Sequence, residues 1–102
     1  MKETGYYKEL RDRVLQNMGE LGSRIPETLQ GFGALHKGAT QEGALSLKVK
    51  ELMALAIAIA VHCEGCIACH VHDALEAGAT PEEVQETIGV AIMMGGGPAV
   101  VY

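Results

Sequence analysis

The sequence predicts an all-α protein, a bundle of about five to six helices. Three observations carry that expectation. Apolar residues recur at steps of three and four, as at Tyr7, Leu10, Val14, Met18 and Leu21, which is the spacing of one stripe along a helix. No segment sustains the alternation of apolar and polar residues that marks a half-buried strand. Finally, 48% of the residues are hydrophobic but only 4% are aromatic. The apolar surface therefore comes from Ala, Leu, Ile, Val and Met, a mix that favours closely packed helices.

Residues 4–21 carry the stripe just described and form the first expected helix. The run Gly22-Ser23-Arg24-Ile25-Pro26 interrupts it, and Pro26 suits the first position of a second helix ending near Leu35. Gly31 and Gly33 weaken that helix. Residues 36–43 mix Gly, Thr and Gln without periodicity, so a loop is expected, with His36 a surface histidine on it. Ser46 then caps a third helix over residues 47–62. Its charged residues, Lys48, Lys50 and Glu51, are confined to the first turn, and the rest is apolar almost all round. Such a helix belongs at the centre of a fold or in a subunit interface. A fourth helix starts at Glu64 and stops at Gly78. Thr80-Pro81-Glu82-Glu83 combines a capping residue, a proline at the first helical position and an acid three residues after the cap. The fifth helix it opens runs to about Met94, where Gly95-Gly96-Gly97-Pro98 makes a turn before an apolar tail, residues 99–102.

A chain of 102 residues fits one domain, residues 1–102. The net charge of −5, with no basic cluster interleaved with aromatics, argues against nucleic acid and anionic lipid as partners. The longest apolar run, residues 52–61, is about half the ~20 residues needed to span a bilayer, so no membrane association is expected. Without an apolar leader segment at the start, a cytoplasmic location is the default. The apolar third helix and tail offer more apolar surface than one copy can bury, which predicts a homo-oligomer.

Chemistry concentrates around the cysteines. Cys63, Cys66 and Cys69 lie within seven positions, too close together for the distributed framework of a disulfide-stapled domain. In a reducing compartment such a cluster is catalytic or metal-binding. Cys63, Cys66 and His70 fall at i, i+3 and i+7, within roughly 60° on one helix face. If the helix begins near Glu64, the Cys66 sulfur sits in its first turn, where free N–H groups and the helix dipole favour a thiolate. Cys63 is close enough to form a disulfide with Cys66 once that sulfur is oxidised, and His70 can relay a proton near neutral pH. Glu51, twelve residues before Cys63, carries a carboxylate into an apolar layer and so needs a partner. His70 is the expected one, its imidazole oriented by the carboxylate.

Glu51, eleven intervening residues, then Cys63-x-x-Cys66-x-x-x-His70, Ala74-Leu75-x-Ala77-Gly78-Ala79 and Gly95-Gly96-Gly97-Pro98 together resemble the carboxymuconolactone decarboxylase superfamily, in its alkylhydroperoxidase D-like branch. The resemblance covers residues 47–102, the motif-bearing half of the chain. It implies an all-α fold assembled into homo-trimers or homo-hexamers, and thiol-dependent reduction of organic or hydrogen peroxides without a cofactor. It further implies that Cys66 attacks the peroxide and passes through sulfenic acid. Cys63 is then the proton donor and resolving thiol, and His70 with Glu51 the proton relay. A dithiol, thioredoxin-like or lipoyl, is the implied electron donor. Gly65 stands where the peroxidase branch often has histidine, and the cysteine pair itself argues against lactone decarboxylation.

Other readings of the same residues are open at this point. Cys63, Cys66 and His70, with Cys69, His62 or His72 as a fourth ligand, could hold a structural zinc. The pair could form a redox-responsive disulfide in a module without turnover, or His70 could act as the base of a small-molecule lyase. Cys69 is expected to be a small buried hydrophobe, His72 solvated, and His62 a helix C-terminal partner of the dipole. Met53, Met93 and Met94 are expected in the core, and Lys48 and Lys50 on a solvated edge.

Overall fold

The computed structural model describes residues 2–102. Among the described residues lie six helices and no strand: α1 (Lys2–Arg24), α2 (Pro26–Thr40), α3 (Leu47–Ala60), α4 (Glu64–Glu76), α5 (Pro81–Gly95) and α6 (Gly97–Val101). The all-α expectation is met. The chain divides into two compact units, one ending at Gln41 and the other running from Glu42 to Tyr102.

In the first unit α1 packs against α2, the two being separated only by Ile25. The break is local. Ile25 N–H still donates to Leu21 O at 2.9 Å and Leu29 N–H to Ile25 O at 3.2 Å. Pro26, however, has no N–H and pushes the residue before it out of the helical region, and Ile25 has ψ of 66°. The second helix does not end near Leu35. It continues to Thr40 through Gly31, Gly33 and Gly38, and His36 lies within it rather than on a loop. Each glycine costs about 1 kcal/mol relative to alanine, but that weakens a helix without terminating it. No proline intervenes, and Thr40 caps the turn by donating its hydroxyl to His36 O at 2.8 Å.

In the second unit α3 packs against both α4 and α5, with α6 folded onto α5. Leu55, Ile59, Ala91 and Ala99 form the buried core, flanked by Ile67, Val71, Val84, Ile88 and Ile92. Leu55 is the one large side chain wholly sealed from solvent among the described residues, so small side chains set the close spacing of the helices. The helix-start signals are realised as expected. The Ser46 hydroxyl accepts the Val49 N–H at 3.2 Å. The Thr80 hydroxyl accepts the Glu83 N–H at 3.1 Å while the Glu83 carboxylate accepts the Thr80 N–H at 2.9 Å, a complete capping box. Gly78, with φ of 99°, ends α4 as expected.

Three further expectations are corrected. The apolar tail is helical: Gly96, at φ 71° and ψ −154°, turns the chain in a conformation open essentially to glycine alone. That turn drives Ala99 into the core. Met53, Met93 and Met94 are exposed rather than buried, at 49%, 73% and 76%. Lys48 is not on a free edge, because its Nζ pairs with Glu83 at 2.9 Å and so ties the first turn of α3 to that of α5.

Candidate functional site

The site is built where α3 hands over to α4. Helix α3 ends in a left-handed turn: Cys63 N–H donates to Ala58 O at 3.0 Å and His62 N–H to Ile59 O at 3.2 Å, the paired bonds of a Schellman motif. His62 takes the left-handed position itself, at φ 59°, where a glycine would be usual. The sequence therefore held no glycine signal for this corner. Its ring stacks on Tyr102 with centroids 4.7 Å apart.

That corner sets Cys63 as the cap of α4. The Cys63 sulfur accepts the Cys66 N–H at 3.3 Å, and the two cysteines are joined by a disulfide with their Cα atoms 5.2 Å apart. The sequence placed the dipole's influence on the Cys66 sulfur; the hydrogen bond instead falls on Cys63. A residue three positions before an N–H is the one that caps it, and Cys63 stands in that place. Cys66, inside the first turn, is exposed, whereas Cys63 is half-buried.

One turn beyond Cys66, His70 lies on the same side of α4. Its Nδ1 meets Glu51 Oε1 at 2.7 Å. Glu51 is buried, at 3% exposure, so the pairing expected from sequence is present. When the carboxylate is ionised it can only accept, an arrangement that puts the ring hydrogen on Nδ1 and leaves Nε2 as the basic nitrogen. Glu51 reaches this place because it faces inward in the second turn of α3, in register with Leu55, Ala58 and Ile59.

Asp73 was not singled out by sequence reasoning. It lies three residues after His70 on α4, the spacing of helix-face neighbours. Ligand-capable atoms of Glu51, His70 and Asp73 all fall within 4.8 Å of one another, close enough to hold a cation together. Among the described residues this is the one such group, and it contains no cysteine. The sulfurs of Cys63 and Cys66 are joined to each other in the disulfide. His72 contacts Asp73 Oδ1 at 3.2 Å and Glu76 Oε1 at 3.8 Å and is partly solvated, while Cys69 is half-buried outside the disulfide.

An all-helical scaffold holding a disulfide at a helix start, with a carboxylate-bound imidazole one turn on, defines a class of thiol-bearing helical proteins. The chain belongs to the carboxymuconolactone decarboxylase family, whose sequence profile it matches over residues 26–102. It is 39% identical over 89 residues to an uncharacterized protein of Cupriavidus necator, covering 87% of this chain and 79% of that one. To the uncharacterized protein 4 of the cox locus in Paracoccus denitrificans it is 41% identical over 82 residues, covering 80% and 74%. A crystal structure of a carboxymuconolactone decarboxylase family protein from Legionella pneumophila superposes with a TM-score of 0.91 at 38% identity, over 95% of this chain and 87% of that one. A Thermotoga maritima structure gives 0.69 at 26% identity, over 84% and 82%. Among the described residues no helix is long and apolar enough to cross a membrane.

Proposed function

We propose that the protein is a thiol-dependent peroxidase that reduces alkyl hydroperoxides through a Cys63–Cys66 disulfide cycle. The observation that supports this most is the 2.7 Å contact between the buried Glu51 carboxylate and His70 Nδ1, on the helix that begins with the cysteine pair. A buried carboxylate costs stability unless it is paired. This one is paired to the imidazole that stands four residues after Cys66 on the same helix.

In the first half-cycle His70 Nε2 takes the Cys66 proton and the thiolate attacks the outer peroxide oxygen. The O–O bond breaks, Cys66 becomes a sulfenic acid, and the alkoxide leaves as an alcohol with the proton returned from His70. Cys63 then attacks the sulfenic sulfur, the S–S bond forms and water departs. An external dithiol, thioredoxin-like or lipoyl, restores the pair and is itself oxidised. Glu51 keeps Nε2 as the basic nitrogen and stabilises the imidazolium that forms. No cofactor enters the cycle.

We read residues 1–102 as one functional unit, located in the cytoplasm and assembled as a homo-trimer or homo-hexamer. Val49, Met53 and Ile57 of α3 and Val61 at its C-terminal cap stand exposed at every fourth residue, an apolar stripe that another copy could cover. The test of the activity is a thiol count. Reduced protein given one equivalent of cumene hydroperoxide is expected to lose two thiols, mapped by mass spectrometry to Cys63 and Cys66, and to do so in Cys69→Ser but not in Cys66→Ser. Thiols that survive peroxide in the unsubstituted protein reject the peroxidase reading.

A further inference from the structure

The corner that presents Cys63 touches a residue from the far end of the second unit. We propose that Tyr102 is a positioning residue for the cysteine pair. Its ring keeps His62 in the left-handed conformation that sets Cys63 beside Cys66, and so favours the closed disulfide. The inference rests on the redox reading of the pair and adds a residue that this reading does not contain.

A left-handed residue that carries a side chain is held against its own preference. In that region the Cβ crowds the following carbonyl oxygen, and helices that end in such a turn usually have glycine there. His62, at φ 59°, is the one non-glycine residue with positive φ among the described residues. The backbone bonds of the turn, Cys63 N–H to Ala58 O at 3.0 Å and His62 N–H to Ile59 O at 3.2 Å, would form equally well with glycine. What histidine adds is its ring. The ring centroid lies 4.7 Å from that of Tyr102, with the planes inclined by 32°, a separation at which aromatic rings attract. His62 is exposed in spite of this contact, so burial in the core is not what holds it.

Tyr102 reaches the corner through the tail of the chain. Gly96 turns the backbone at φ 71°, Ala99 is buried in the core, and Tyr102 N–H donates to Pro98 O at 2.9 Å. The ring at the end of α6 is thereby fixed against the end of α3.

The effect falls on the next residue. Cys63 follows His62 directly, and its Sγ accepts the Cys66 N–H at 3.3 Å. Two cysteines whose side chains turn apart cannot be bridged without backbone movement. In the reduced protein a corner that relaxes must be remade before the sulfurs meet, and part of the driving force for closure goes into ordering it. In the oxidised protein the bond itself holds the corner. Losing the Tyr102 ring therefore costs the oxidised form more than the reduced form, which escapes the strain by relaxing. The disulfide becomes easier to reduce.

The experiment measures that equilibrium in Cys69→Ser protein, where no third thiol can exchange. The protein is equilibrated with mixtures of reduced and oxidised dithiothreitol, quenched in acid and alkylated with N-ethylmaleimide, and its thiols are counted by mass spectrometry. Dithiothreitol closes to its cyclic disulfide as the Cys63–Cys66 bond breaks, and two electrons and two protons pass to the pair. Tyr102→Ala is expected to shift the equilibrium about tenfold toward the reduced pair, the factor that the left-handed penalty of a non-glycine residue corresponds to. Tyr102→Leu, which keeps apolar bulk at the end of α6 without the ring, carries the same expectation and serves if alanine loosens the tail. Tyr102→Phe keeps the ring and should stay within about twofold of the unsubstituted equilibrium. His62→Gly needs no ring to hold the turn and should stay equally close, and in that background Tyr102→Ala should have no effect. A role in packing α6 alone would shift the equilibrium by the same factor in both backgrounds, or in neither.

An unchanged equilibrium in Tyr102→Ala and Tyr102→Leu, or an equal shift with histidine and with glycine at position 62, overturns the inference. A pair that no dithiothreitol ratio converts removes the redox reading together with it. No peroxide is used, so the outcome stands apart from the peroxidase assay. A tenfold shift confined to the His62 background, in a protein that leaves cumene hydroperoxide untouched, supports the positioning role and removes only the peroxidase reading.

Discussion

Glu51 Oε1 and His70 Nδ1 meet at 2.7 Å between α3 and α4, with the carboxylate almost fully withdrawn from solvent. The contact joins the helix before the cysteine pair to the helix that carries it. Glu51→Gln keeps the shape but removes the charge that holds the imidazole hydrogen on Nδ1. Peroxide turnover is expected to fall about 100-fold, within the range that general acid–base catalysis contributes, while the urea midpoint moves little. Equal turnover in the variant would remove Glu51 from the proton relay.

Helix α6 depends on a close approach. A Cβ on Gly95 would stand 2.9 Å from Ala99 Cβ, nearer than carbon atoms pack, and Ala99 is in the core. Gly95→Ala is expected to cost about 1–3 kcal/mol, the usual range for overpacking. Gly89→Ala on the same helix, where nothing lies within 4 Å, is expected to be neutral or to stabilise by up to about 1 kcal/mol. Urea denaturation of the two variants checks the contrast, and a similar cost for both would show that the approach is not what matters at Gly95.

Glu83 links acid sensitivity to the α3–α5 contact. The Thr80 backbone N–H, and after it the Lys48 ammonium, hold its carboxyl below the ordinary glutamate range. A carboxyl depressed in the folded state binds its proton more readily when unfolded, so its contribution is complete above the unfolded value and is lost as the pH falls through the folded one. Glu83→Gln is therefore expected to flatten the acid limb of the stability curve, with little change in its slope above neutrality. Thr80→Ala should cost about 1 kcal/mol at any pH through the lost cap. An acid limb identical in Glu83→Gln and the unsubstituted protein would reject the linkage.

The stripe of Val49, Met53, Ile57 and Val61 gives the assembly its test. Ile57, 60% exposed, lies in the middle of it, so Ile57→Lys places a charge where a second copy would have to bury it. Light scattering at micromolar concentration is expected to give a trimeric or hexameric mass for the unsubstituted protein and a smaller one for the variant. A monomeric mass for both would end the oligomer proposal.

Much of this architecture could be read in the sequence because capping and stop signals are local. Ser46, Thr80 with Glu83, and Gly78 each act on backbone groups within a few residues, and each is where the residue types indicated. The Glu51–His70 pair was legible for a different reason: a carboxylate in an apolar helix demands a partner, and few were on offer. What escaped depended on context. Helix α2 runs through glycines that propensity alone would count against it. The left-handed turn at His62 has no glycine to announce it. The exposed methionines of α5 are apolar residues whose burial a single chain does not decide. Asp73 joins Glu51 only through the packing of α4 on α3, which its spacing from His70 does not reveal.

The hydrogen bond from the Cys66 amide to the Cys63 sulfur makes that amide a natural reporter. Its proton points at an atom that is half of a covalent bond in the oxidised protein and a thiol or thiolate once the disulfide is reduced. The electronic change occurs within one hydrogen bond of a nucleus that nitrogen-15 labelling makes visible. A single amide resonance should therefore mark the fraction of oxidised molecules in a mixture, without dye, alkylating reagent or substrate, and can be followed in real time as a reductant opens the disulfide.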